Sequence, residues 1–472
     1  MSDTRPILLW FRRDLRLSDH PALDAAARSG RPVIPVFVYD EVVDTLGAAP
    51  KWRLGLGVEA FCDSLAQLGS RLILRKGDAL GALRQLIDET GAGAVWWTRQ
   101  YDPDQIARDT RVKSALQEAG LDARSFHGHL LFEPWDVATG QGKFYQVYTP
   151  FWRAVRARDA GARLAPPREL RAPAAWPRSD ALASWEMGRA MGRGAEVVRP
   201  YLHIGEAAAH QRLDDFMRDR IDSYGTDRDR MDRDATSGLS ENLTYGEISP
   251  LALWDAGARA MADGRTGAET FLKEVIWREF AYHLVYHTPH ITRESWRAGW
   301  ENFPWREESE ETLRWKQGCT GIEIVDAAMR EIYVTGRMHN RARMLVGSYL
   351  TKHMMTHWRV GQRWFEDCLI DWDPAANAMG WQWVAGSGPD ASPYFRVFNP
   401  DTQADKFDPK RIYRTRWVAE LSKSPPMTAQ AFFDACPRSW EMRPDARYPA
   451  PVVELATGRS RALSAYEQRK TA

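Results

Sequence analysis

Several things are scarce in this chain, and each scarcity removes a class of explanation. Among 64 basic residues only 11 are Lys, so 53 are Arg. Arg suits bidentate phosphate contacts, and a GC-rich genome produces the same bias. Net charge is nearly absent too: 64 basic against 63 acidic residues leave +1, which excludes a uniformly basic coat and confines any nucleic-acid contact to a local patch. The four cysteines, Cys62, Cys319, Cys368 and Cys436, lie far apart with no C-x-x-C, so neither a disulfide framework nor a zinc site is expected. The N-terminal apolar run is too short for a signal peptide, and no later run approaches a membrane span. A soluble, cytoplasmic protein without a metal centre is expected. His283/His287 and His353/His357 have helical spacing but lack the H-E-x-x-H glutamate, so packed histidines are favoured.

What is present begins with an alternation. Over residues 5–130, ILLW (7–10), VIPVFVY (33–39), RLILR (71–75), AVWWT (94–98) and ARSFH (123–127) alternate with helix-length segments. This rhythm predicts a five-stranded parallel, doubly wound, Rossmann-like α/β layer. The first strand runs into FRRDLRLSDH without a glycine, so the G-x-G-x-x-G pyrophosphate turn is missing and conventional NAD binding is excluded. Residues 133–200 turn to Pro, Ala, Arg and Gly, a long connector. From 201 to 472 the apolar spacing is helical, as at Phe271, Val275, Ile276 and Phe280.

Chemistry concentrates in three places. Of 21 Trp, thirteen follow residue 250, clustering around Asp371–Pro400 with its carboxylates, amides and small residues. Paired Asp371 and Asp373 admit an acid and base or a metal reading, or pairing with Arg beside a cofactor. TSGLSENLTYGEISP (236–250) offers hydroxyls and a glycine ahead of a helix, either a phosphate cradle or an N-cap. EVIWREFAYHL (274–284) and GRMHNRARM (336–344) put a carboxylate, an amide and flat apolar groups on helix faces, either a nucleobase-like pocket or a buried ion-pair network.

Across nearly the whole length, LLWFRRDLRLSDHPAL, GQGKFYQVYTPFWRA, TSGLSENLTYGEISP, EVIWREF, GIEIVDAAMREIYVTGRMHNRARM and DWDPAANAMGWQW resemble the photolyase and cryptochrome family, and within it class I cyclobutane pyrimidine dimer photolyases. The resemblance implies an antenna domain at 1–132, a connector at 133–200 and a helical FAD-binding domain at 201–472. It implies a monomer that repairs UV-damaged DNA by light-driven electron transfer from reduced FAD to a flipped-out dimer.

By residue matching, Tyr224, Thr236, Ser237, Gly238, Leu239, Ser240, Phe271, Glu274, Arg278, Asn340, Arg343, Asp371, Asp373 and Asn377 would contact FAD. Gly238 stands where members commonly have Arg, and Phe271 where many have Trp. Asn377 would face flavin N5. Glu274 and Asn340 would bond the dimer, with Trp277, Met344 and Trp383 as walls. Trp381, Trp358 and Trp305 would carry electrons to the flavin. Arg228, Trp277, Arg278, Arg341, Arg396 and Gln403 would hold DNA. Asp104 and Gln105 stand where folate-binding members have Asn-Glu, leaving methenyltetrahydrofolate, a deazaflavin or no antenna. The competing function is a blue-light cryptochrome with the same flavin site.

Overall fold

In the computed structural model, which describes residues 3–390 and 395–471, the N-terminal half holds the expected parallel sheet. Strands β1 (Ile7–Phe11), β2 (Val33–Tyr39), β3 (Ile73–Lys76), β4 (Ala94–Thr98) and β5 (Asp122–Phe126) lie in the order β3-β2-β1-β4-β5. Helices α1 (Pro21–Arg28), α2 (Ala48–Gln67), α3 (Ala79–Thr90) and α4 (Pro103–Glu118) cross between them. β1, β2 and β4 are buried along their whole length because helices cover both faces, which is why their sequences are continuous rather than alternating apolar runs. The chain reverses its direction of winding between β1 and β4. Ligands of doubly wound sheets bind at such a point. Here Arg12 bonds Asp109 at 3.0 Å, Arg108 bonds Asp40 at 2.9 Å, and both guanidinium groups lie over Trp10.

The connector is more ordered than its composition predicts. It contains α5 (Tyr148–Val155), whose Tyr148, Phe151, Trp152 and Val155 turn inward. Tertiary burial of these aromatic and aliphatic groups overrides the weak local signal. His283 and His287 serve this packing: His283 Nε2 accepts from the Tyr145 amide at 3.0 Å, and His287 stacks on Phe144.

The C-terminal half is built from α6 (Glu206–Asp219), α7 (Ser240–Thr244), α8 (Pro250–Ala262), α9 (Ala268–His287), α10 (Glu323–Thr335), α11 (Asn340–Ser348), α12 (Trp358–Cys368), α13 (Pro374–Ala385), α14 (Pro400–Phe407), α15 (Met427–Ala435), α16 (Leu455–Thr471) and several short helices. α9 is central: Val275, Ile276 and Ala281 belong to three different apolar clusters, so burial surrounds the helix instead of marking one stripe. The two halves are joined by buried charge. Arg53 of α2 bonds Glu241 at 2.5 Å and Glu247 at 2.6 Å, with all three side chains fully buried. Among the described residues no helix is long and apolar enough to cross a membrane.

Candidate functional site

A cleft of about 660 Å³ opens in the helical half between the segment 224–240, α9, α10, α11 and Asp371. It gathers much of the expected cofactor set from distant parts of the chain: Tyr224, the loop Thr236, Ser237, Gly238, Leu239 and Ser240, then Glu274, Asn340, Arg343 and Asp371. Arg343 Nη2 donates to both Asp371 oxygens at 3.0 and 2.8 Å, and Ser240 Oγ donates to Asp371 at 2.7 Å. The loop is thereby tied to the helix pair behind it. Helix α7 after the loop is only five residues long, too short to concentrate a strong dipole. The cationic character comes from side chains instead: Arg212, Arg337, Arg343 and Arg416 all reach the cleft.

Four expected contacts, Phe271, Asp373, Arg278 and Asn377, lie outside the lining of this cleft. Phe271 is buried behind Tyr224 and Phe216, one layer from the cleft. Asp373 caps α13 by accepting from the Ala376 amide at 2.8 Å and accepts the Tyr282 hydroxyl at 2.7 Å, with Arg13 of the N-terminal half at 3.6 Å. It bridges the two halves. Arg278 donates to the His129 carbonyl at 2.9 Å and lies over Tyr282, so it too is engaged at the junction rather than at the cleft mouth. Both side chains satisfy charges brought close by the fold, which local spacing does not reveal.

Helix α13 starts with this cap, has Pro374 at its first position and stops at Gly386, whose φ of +89° suits glycine. Asn377 is buried one turn in, its Nδ2 donating to the Asp373 carbonyl at 3.0 Å. On this helix Ala376 is exposed and Gly380 faces open space, giving a shallow floor of small residues beside the half-buried Trp383. Trp277 stacks face to face on Tyr148 at 3.6 Å and 7°. That contact holds its indole plane fixed. Asn340 and Met344 share one face of α11 by their four-residue spacing.

The three relay candidates run from interior to surface. Trp381 is buried against α12, where Gly361 leaves no side chain in its way: a Cβ there would overlap the indole. One turn earlier on α12 is Trp358, fully buried. The His357 ring lies 5.5 Å from Trp358 and 5.4 Å from Trp305, which is only half-buried.

Of the expected DNA-gripping groups, Arg228 is paired with Glu274 and Arg341 with Asp229 at 2.5 Å. Arg396 is exposed and lies near Phe398. Gln403 is half-buried on α14, its Oε1 unbonded. The expected antenna positions are self-satisfied: Asp104 pairs with Arg293 at 2.8 Å, and Gln105 donates to Asp102 at 2.8 Å.

The cleft also recruits residues that sequence reading left out. Arg337 and His339 lie inside GRMHNRARM, yet neither was singled out. His339 Nδ1 caps α11 by accepting from the Arg341 amide at 3.1 Å, and burial pulls its pKa down to about 4, so it stays neutral. Arg212 comes from α6, where nothing in the periodicity points to a site. The buried, unbonded Nη1 of Arg212 and Nε of Arg337, together with the side-chain-free Gly238, fit an anionic ligand such as the diphosphate of FAD.

Comparison with known proteins agrees with this geometry. Residues 7–173 match the family model for DNA photolyase, and residues 271–468 match that for the FAD binding domain of DNA photolyase. A deoxyribodipyrimidine photo-lyase from Agrobacterium fabrum is 44% identical, with 98% of each chain covered. The crystal structure of a bacterial class III photolyase from Agrobacterium tumefaciens superposes with a TM-score of 0.92 at 43% identity, covering 100% of this chain and 98% of that one. The sequence pointed to class I, whereas this relative bears the class III label. Cryptochrome-1 of Arabidopsis thaliana is 31% identical over 98% of this chain and 70% of its own length.

Proposed function

The chain belongs to the DNA photolyase and cryptochrome family and carries out FAD-dependent, light-driven DNA repair, and on that premise we propose that its substrate is the cyclobutane pyrimidine dimer. The observation behind this choice is the set of groups around the cleft. Glu274 and Asn340 line it as hydrogen-bonding partners for pyrimidine edges, and Trp277, held by Tyr148, Met344 on the Asn340 face of α11 and Trp383 on α13 would supply apolar surface to the lesion. Positions 340 and 344 hold Asn and Met, neither of which can donate an acidic proton to a bound lesion.

FAD, when bound, would supply light-driven electron transfer to the dimer. The chain's own groups do the remaining work. The loop 236–240, with Arg337 beside it, would hold the diphosphate, and the Arg343–Asp371 pair would hold the flavin. Asn377 would present a neutral amide to the flavin, offering no acidic proton there. Glu274 bonds the dimer and steadies charge arriving on it. Tyr148 fixes the Trp277 wall, and Trp381, Trp358 and Trp305 deliver reducing electrons from the surface. On this reading residues 1–132 are the antenna domain, 133–200 the connector and 201–472 the flavin domain.

The proposal is tested by binding in the dark to duplexes carrying a cyclobutane dimer, a (6-4) photoproduct or no lesion. Preference for the cyclobutane duplex is expected. Equal affinity for the two lesions would refute the assignment.

A further inference from the structure

Arg212 sits where a side chain at residue 238 would have to go. Gly238 has φ of +63°, and a Cβ built on it would overlap the Arg212 guanidinium, with Nη2 the nearest atom. The glycine therefore does two things: it permits the left-handed backbone of the loop, and it clears a channel through which an Arg from α6 reaches the cleft. The Arg212 side chain is only 15% exposed, and its Nη1 has no hydrogen-bond partner.

The surrounding charges leave this Arg without a full counterion. Glu241 lies 3.7 Å from Arg212 Nη1, and Asp234, the other carboxylate acting on it, is paired with Arg220 at 3.0 Å. Glu241 is already shared: Arg53 Nε bonds its Oε1 at 2.5 Å and Arg337 bonds its Oε2. Glu247 is taken by Arg53 and Asn242. Burial and the neighbouring Arg337 pull the Arg212 pKa down to about 10, as expected for a cation lacking sufficient negative charge. A buried guanidinium with a free donor and an over-committed carboxylate calls for a further anion.

We propose that Arg212, reaching over Gly238, is the side chain that binds the diphosphate of the dinucleotide cofactor in this protein. This inference rests on the FAD reading of the cleft and adds to it a specific phosphate ligand from a helix outside the loop. Arg337 is the lesser candidate, because its own charge is neutralised by Glu241.

The test uses the full-length chain stripped of flavin and titrated with FAD, ADP and riboflavin. Wild type should take up FAD; failure to do so would defeat the flavin reading itself, and this inference with it. Replacing Arg212→Gln should weaken FAD and ADP binding on the order of ten- to a hundredfold and leave riboflavin, which has no diphosphate, unchanged. Arg212→Lys should recover part of the loss, because it keeps the charge but not the fork. Equal weakening of all three ligands would mean that Arg212 only supports the fold. Unchanged FAD affinity in Arg212→Gln would overturn the assignment as well.

Discussion

Arg228 and Glu274 are joined by an ion pair at the cleft wall, Nη1 of the arginine donating to Oε1 of the carboxylate, with side chains 20% and 29% exposed. One residue was expected to grip a phosphate and the other to bond the lesion. The pairing couples the two tasks, since removing either partner leaves the other charge partly buried and alone. A double-mutant cycle with Arg228→Gln and Glu274→Gln, read by dimer-duplex affinity, should show a coupling of about 0.5–3 kcal/mol. Additive losses would show that the pair plays no part in the bound state.

The position of Arg278 leads to a prediction about salt. With Arg228, Arg341 and Arg396 as phosphate contacts, log affinity should fall with log salt at a slope of about −3. Arg396→Ala should reduce the slope by about 1. Arg278→Ala should leave it unchanged while lowering stability, because its guanidinium is engaged with His129. A reduced slope for Arg278→Ala would restore it to the DNA surface.

The strands were legible because burial on both faces writes itself into local composition: the readings of β2 and β4 coincide with the observed strands. That the loop 236–240 borders a cleft was legible from its motif. What escaped were the partners. Arg278 meets His129 across 149 positions of sequence, and Arg212 reaches Gly238 from another helix. Such pairings depend on which helices the fold brings together, and no local period encodes them. Phe271 is the complementary case: its spacing marked a core face, and the core it joins lies behind the cleft.

The packing of Trp381 on Gly361 ties the proposed relay to a single missing methyl. Trp381→Phe should sharply slow photoreduction of oxidised flavin by an external donor while leaving repair by prereduced protein nearly intact. Gly361→Ala should displace the indole and cost about 1–3 kcal/mol of stability, with a slower photoreduction rate. Transient absorption after a light flash would check both. An unchanged rate in Trp381→Phe would remove this residue from the relay.

Acid should weaken the site helix. Burial pulls the His339 pKa down to about 4, against about 6.5 in the unfolded chain. The folded state therefore binds fewer protons between these values, so the contribution is fully present above pH 6.5 and is lost as pH falls towards 4. It amounts to up to about 3 kcal/mol. His283 and His353, pulled down to about 3 and about 4 by burial, act in the same direction. His339→Asn keeps a capping side chain without the titration. Urea midpoints at pH 7 and pH 5 should differ less in this variant than in wild type, and an equal difference would clear His339 of the effect.

The account stands or falls on light-driven opening of the dimer. Protein with fully reduced flavin, mixed with an oligonucleotide carrying one cyclobutane thymine dimer, should restore intact thymines under blue light and not in the dark, as read by chromatography of the oligonucleotide. Retention of the dimer after illumination, with the flavin reduced and the duplex bound, would contradict it.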